Sequence, residues 1–234
     1  MLEVQDLEVR YGRIRAVVDV SLRVDKGEIV GLMGPNGAGK SSVIKSIIGL
    51  VRPTRGRISF MNKDIQDLAT EDIIVAGIAM APEGRELFPY LTVEENLLMG
   101  AIGSRSWKAR EDRLEFAYSI FPRLKERKKQ IAKSLSGGEQ QMLTIARALM
   151  SDPKLLLVDE PSLGLSPKVT SLVFKLLKSI REEGITILLA DQNARRILDT
   201  CDRAHLIENG RIVKEGRTED LKEDKTIKEV YLGL

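Results

Sequence analysis

Two stretches of the chain carry residues whose types and spacing could do chemistry together. Gly34-Pro35-Asn36-Gly37-Ala38-Gly39-Lys40-Ser41 fits the phosphate-loop spacing G-x-x-x-x-G-K-[ST]. Glycines let successive backbone N–H groups converge on phosphate oxygens, and a helix starting there adds roughly half a positive charge. Lys40 can reach the outer phosphates and Ser41 can ligate Mg2+, so Asn36, Gly37, Ala38, Gly39, Lys40, Ser41 and Ser42 form a candidate ATP cradle. The second stretch, Leu155-Leu156-Leu157-Val158-Asp159-Glu160, is an apolar run ending in two carboxylates. Ligands bind at the carboxyl edge of a parallel sheet, so Asp159 is a candidate Mg2+ ligand. Glu160 is a candidate to orient or deprotonate a water for in-line attack on the γ-phosphate, a reaction in which Lys40 also takes part. Alone, an acidic pair before Pro161 is ordinary solvated turn chemistry, and the phosphate loop is what raises it above that. A dinucleotide-binding fingerprint is disfavoured, because it needs no Lys-Ser pair and wants an acid after the next strand.

A third motif, Leu135-Ser136-Gly137-Gly138-Glu139-Gln140-Gln141, precedes a run with Met142, Ile145, Ala146 and Leu149 on one helical face. It offers a second phosphate-ready helix N-terminus. Both ends can meet one γ-phosphate only if the second comes from another molecule.

These residues need elements to hold them. Val4, Leu7 and Val9, then Val18, Val20, Leu22 and Val24, alternate as antiparallel strands do, ahead of a turn at Asp25-Lys26-Gly27. The strand from Glu28 to Met33 enters the phosphate loop, and Val43, Ile44, Ile47 and Ile48 follow at helical spacing. Further strands are expected at 57–60 and 78–81, and the stretch from Thr92 to Arg127 turns to helical spacing with many charges. After the strand at 155–158, Ser166 is a helix N-cap with Pro167 at the first turn. Val169, Leu172, Val173, Leu176, Leu177 and Ile180 make that helix's stripe, and Gly184 ends it before a strand over 185–190. Strand, helix and strand at this length imply a right-handed parallel crossover. The charged tail is expected to end in a short helix anchored by Ile227, Val230 and Leu232.

Composition sets the outer bounds. The 234 residues are 43% hydrophobic and 30% charged, enough for a real core. Only 4% are aromatic, which leaves little for a stacking platform that binds nucleic acid, and a net charge of +3 argues against gripping polyanions through bulk charge. The single cysteine, Cys201, permits no internal disulfide and reads as a small hydrophobe near a helix end. No apolar run approaches the ~20 residues of a membrane span, so any membrane role is expected to run through a partner.

In order, GPNGAGKSS, LSGGE, LLLVDEP and SLGLSP resemble the nucleotide-binding subunits of ABC transporters over the whole chain. The resemblance implies an α/β fold: a P-loop NTPase core with a mainly parallel sheet, an antiparallel β layer at the N-terminus and a helical subdomain insert. Residues 1–84 and 154–234 would form the core with its β layer, and 85–153 the helical subdomain. It also implies a head-to-tail dimer in which ATP lies between one phosphate loop and Ser136, Gly137, Gly138 and Glu139 supplied in trans. Leu163-Gly164-Leu165 would join the two sites, and Tyr11 matches the aromatic position that stacks on adenine.

Two positions depart from the general family pattern. Glu83 replaces the usual glutamine and Gln192 the usual switch histidine. With PEGR at 82–85, the run LTVEENL, the string QNA and the ending Tyr231-Leu232-Gly233, they resemble the ATPases of branched-chain amino-acid uptake systems. Glu83 would bring a third carboxylate to Mg2+, and Gln192 can donate to a γ-phosphate without titrating near neutrality. The lone histidine, His205, is expected to be an ordinary, partly exposed strand residue. The resemblance implies membrane permease partners, a second ATPase subunit (homodimer or sister heterodimer) and an indirect link to an extracytoplasmic substrate-binding protein. It implies no nucleic-acid partner and a peripheral place on the cytoplasmic face of the membrane. The alternatives are the same chemistry serving urea, amides or lipid export, and a non-transport ABC ATPase.

Overall fold

Where apolar and polar residues alternate the chain forms half-exposed strands, and where apolar residues run on without a break the strands are covered on both faces. The computed structural model describes residues 1–101 and 107–232. They divide into two units, one of Met1–Ile73 with Thr186–Leu234, the other of Ile74–Ile185.

The first unit opens with strands β1 (Leu2–Tyr11), β2 (Ile14–Val24) and β3 (Ile29–Met33), helix α1 (Lys40–Ile47), and strands β4 (Arg55–Phe60) and β5 (Lys63–Asp64). An antiparallel sheet has the order β2-β1-β4-β5. Helix α2 (Thr70–Ala76) carries the chain into the second unit. There β6 (Ile78–Ala81), helices α3 (Val93–Leu98), α4 (Arg110–Ile120), α5 (Pro122–Glu126) and α6 (Gly137–Leu149), strand β7 (Leu155–Asp159) and helix α7 (Pro167–Glu182) follow. β6 runs parallel to β7, Ile78 opposite Leu155 and Ala81 opposite Val158. Back in the first unit come β8 (Thr186–Asp191), helix α8 (Ala194–Thr200), β9 (Arg203–Glu208), β10 (Arg211–Arg217) and helix α9 (Thr218–Glu223). β3 lies between β8 and β9, parallel to both, and β10 closes the edge antiparallel to β9. The fold is the expected one: a mainly parallel sheet, an antiparallel layer from the N-terminus, and helices. Every residue of β3, β7 and β8 is buried, as continuous apolar runs require.

Several expectations shift by a residue or a face. The even alternation from Val18 breaks, because Asp6 (φ 48) and Asp19 (φ 60) sit in bulges of the β1–β2 pair. The register moves from Leu7 opposite Val20 to Val9 opposite Val17, so Val17 is fully buried and Val18 only half-buried. Ser166 stands at the N-cap position of α7, although its side chain makes no capping hydrogen bond, and Gly184 (φ 89) follows the helix end as expected. The buried face of α7 is nevertheless rotated: Thr170 and Phe174 are buried while Leu172 is 44% exposed. At the tail Ile227 is buried, but Val230 is 65% exposed and anchors nothing. Gly233, the last residue of the Tyr231-Leu232-Gly233 ending, lies outside the described residues. Cys201 is buried at the end of α8.

Candidate active site

The phosphate loop is built by β3 delivering the chain from a buried strand end straight into Gly34. Gly39, the N-cap of α1, has φ 109, and a methyl group there would stand 2.5 Å from the Ala16 carbonyl oxygen, so only glycine closes the loop onto the helix. Gly210 N–H donates to the Ala38 carbonyl at 2.9 Å and fastens the loop to the β9–β10 turn. Lys40 is 4% exposed, its Nζ donating to the carbonyls of Gly34 at 2.9 Å and Pro35 at 3.0 Å, so the ammonium is held over its own loop. No acidic residue lies in the first turn of α1 to offset the positive end of the helix dipole. Asn36 and Gly37 are exposed, Ala38 is buried, and Ser41 and Ser42 are half-buried. This cradle fits phosphate oxygens.

Two further candidates belong to the same unit. Tyr11 ends β1 opposite Ile14 with 46% of its surface exposed, leaving a ring face accessible. Gln192 is exposed just after β8, between buried Asp191 and Asn193. Asn193 N–H donates to Asp191 Oδ1 at 2.8 Å while Asn193 Oδ1 accepts from Arg196 N–H at 3.1 Å, which caps α8 and fixes the loop that carries Gln192. His205 departs from the expected partial exposure: it lies within β9, 1% exposed, with Nδ1 2.9 Å from Glu215 Oε2. A cavity of about 340 Å3 lined by Glu28, Cys201, Asp202, Arg203 and Arg217 opens near the amino ends of β3 and β9, away from the phosphate loop at the carboxyl end of β3.

In the second unit, Asp159 is the buried last residue of β7. Glu160 follows with φ 46, a left-handed conformation that costs a non-glycine residue on the order of 1 kcal/mol. It is 7% exposed, and its carbonyl accepts from Leu163 N–H at 3.2 Å. Glu83 is exposed in the loop after β6.

The third motif opens α6. Ser136 is its N-cap, Oγ accepting from Glu139 N–H at 3.3 Å, while Glu139 Oε2 accepts from Ser136 N–H at 3.0 Å and from its hydroxyl at 2.7 Å. Arg127 Nε stands 2.8 Å from Glu139 Oε1. Burial opposes the charge on Glu139, but the Ser136 hydrogen bonds and the nearby arginines outweigh it and hold the carboxyl below the usual carboxylate range. Ser136 is exposed and Gly137 half-buried, whereas Gly138 is buried against Val169 of α7. Arg85, the last residue of the PEGR string, lies beside this helix, a contact that its place in the string does not reveal.

Among the described residues no three His, Cys, Asp or Glu side chains gather as a metal site, and no helix is long and apolar enough to cross a membrane. The carboxylates and hydroxyl offered are the hard oxygen donors that Mg2+ prefers.

With this geometry in view, the similarities to known proteins are direct. The ABC transporter family matches residues 17–163, and the chain belongs to that family as one of its ATPase cassettes. It is 44% identical, over the full length of both chains, to the high-affinity branched-chain amino acid transport ATP-binding protein BraG of Pseudomonas aeruginosa. It is 37% identical to the lipopolysaccharide export system ATP-binding protein LptB of Haemophilus influenzae, covering 100% of this chain and 97% of that one. The solved ADP conformation of an ATP-binding cassette of an ABC transporter superposes with a TM-score of 0.83 at 30% identity, covering 100% of this chain and 99% of that one.

Proposed function

We propose that the chain hydrolyses Mg-ATP to power inward transport of branched-chain or similar amino acids through membrane permease subunits, as the peripheral subunit on their cytoplasmic face. The observation that carries this reading is the glycine-shaped phosphate loop, with Lys40 buried at its base, within a chain matching BraG end to end. Glu83 and Gln192, the forms resembling the uptake ATPases, support the cargo. An extracytoplasmic binding protein would deliver that cargo to the permease.

Lys40 and the loop N–H groups bind and orient the β- and γ-phosphates, and Tyr11 stacks on the adenine. Ser41, Asp159 and Glu83 are the residues to hold Mg2+, which characteristically takes one or two carboxylates and keeps phosphate and water as its other ligands. When bound, that ion neutralises charge developing on the transferred phosphoryl group. Glu160 takes the proton of the attacking water, and Gln192 donates to the γ-phosphate. Ser136 and its neighbours close on the nucleotide of a second subunit, an identical copy or a sister ATPase, and opening follows hydrolysis.

Glu160→Gln is the test. It is expected to bind ATP as the parent chain does and to lose nearly all turnover, measured as phosphate release; turnover close to that of the parent would remove Glu160 from the role. For cargo, ATP-dependent uptake of labelled leucine into vesicles carrying the assembled permease is expected, and lipid export in its place would assign the chain to the LptB type of system.

A further inference from the structure

We infer that Arg85 is a positioning residue that ties the Glu83 loop to the signature helix α6, so that nucleotide engaged at Glu83 sets the position of the Ser136 end presented to the partner subunit. The inference rests on the proposed reading of the chain as a dimerising ATP hydrolase and deepens it.

Arg85 grips α6 by both its side chain and its backbone. Its Nη1 donates to Gln140 Oε1 at 3.1 Å. Its Nη2 lies 3.2 Å from where a Cβ on Gly137 would stand. Its carbonyl accepts from Thr144 Oγ1 at 3.0 Å and from Arg147 Nη2 at 3.5 Å. Gly137, Gln140, Thr144 and Arg147 recur at helical spacing, so the loop lies along one face of α6 for most of its length. Gln140 is pre-oriented for this contact: its Nε2 donates to the carbonyls of Ala132 and Leu135, each at 3.3 Å, which leaves its oxygen facing Arg85. The same guanidinium stands 3.9 Å from the Cβ position of Gly164, in the Leu163-Gly164-Leu165 stretch.

Backbone shape points the same way. Gly84, Arg85 and Glu86 have φ of 78, 71 and 45, three left-handed residues in a row, two of them not glycine. Such a path persists only where the surroundings hold it, and the contacts of Arg85 to α6 supply the hold. Glu83 is the residue immediately before this strained segment, so it cannot move far without pulling on Arg85, nor Arg85 without shifting α6. A guanidinium beside Gly137, the first residue of α6, also adds positive charge at the end of the helix that faces phosphate in the closed dimer. Lysine would keep the charge and lose the planar fork that spans Gly137 and Gln140.

The experiment compares the full chain with Arg85→Ala, Arg85→Lys and Gln140→Met, each also combined with Glu160→Gln to trap the closed state. ATP binding by the isolated subunit, ATP-driven dimerisation followed by light scattering, kcat, KM and melting temperature are read for each. All three variants are expected to bind ATP and melt like their parent, while the ATP midpoint for dimerisation rises about tenfold, a usual size for coupling between sites. The KM for ATP rises with it, and kcat at saturating ATP is largely kept. A dimerisation midpoint equal to that of the parent in Arg85→Ala overturns the inference. So does full rescue by Arg85→Lys with the alanine defect tracking a lowered melting temperature, since that marks loop stability alone. Should Arg85→Ala fail to fold, Gln140→Met decides, because it leaves the backbone of Arg85 in place: an unshifted midpoint there overturns the inference. A parent chain that neither hydrolyses ATP nor dimerises sinks the functional reading itself, whereas an active parent matched by its variants sinks Arg85 alone.

Discussion

At Gly39 an alanine methyl would meet the Ala16 carbonyl oxygen at 2.5 Å in a backbone conformation that L side chains avoid. Gly39→Ala must therefore move the loop off the helix N-terminus. We expect nucleotide affinity to fall at least about tenfold, equivalent to the roughly 1–2 kcal/mol of left-handed strain. Titration with ATP checks this, and an unchanged Kd would show that the loop has room to adapt. Residues of this kind were legible in the sequence because their chemistry is local: Lys40 binds carbonyls only five and six residues away, and Ser136 and Glu139 cap each other across three. Glu160 was legible as a carboxylate, but not its left-handed backbone, since nothing in Asp-Glu-Pro demands φ 46.

Between elements, spacing named the buried faces of α1 and α6, whose Val43, Ile44, Ile47, Met142, Ile145, Ala146 and Leu149 are all buried, but misplaced part of the face of α7. Leu172 belongs to the apolar stripe of α7 by count, yet it is exposed, while Val169 meets Gly138 where α6 crosses α7. A Cβ on Gly138 would lie 2.4 Å from Val169 Cγ1, and valine, stiff at χ1, yields little. Gly138→Ala is thus expected to destabilise the chain by about 1–3 kcal/mol through overpacking. Val169→Ala in the same chain should recover much of that loss. Denaturant melts of the two single variants and the double variant form the cycle, and simple additivity would show that the helices do not press on each other at this point. Glycine in the signature therefore also serves helix packing, a role that the string Ser-Gly-Gly-Glu does not announce.

For the molecule as a whole, His205 gives stability a pH dependence with a definite sign. Burial disfavours its charged form and Arg203 adds to this, against the opposing pull of Glu215, so its pKa lies below the ordinary 6.5. The folded state holds the ring neutral while the unfolded chain takes up the proton first. Stability is then full above about pH 6.5 and falls as the pH drops from there towards the folded value. As the chain has one histidine, melting temperatures between pH 8 and pH 5.5 should decline in that window, and His205→Leu should flatten the decline. An equal slope in the variant would clear His205 of the effect. The sequence by itself determined the class of chemistry, the phosphate loop, the signature helix and the parallel core, because each depends on neighbours a few residues apart and on continuous apolar runs. Only the tertiary structure decided that His205 is buried, that opposed bulges at Asp6 and Asp19 reset a strand register, and that Arg85 clamps a helix whose Gln140 lies 55 residues further along. Contacts between distant segments leave no periodic trace in either segment, since the side chains that make them are chosen by a surface that exists only after folding.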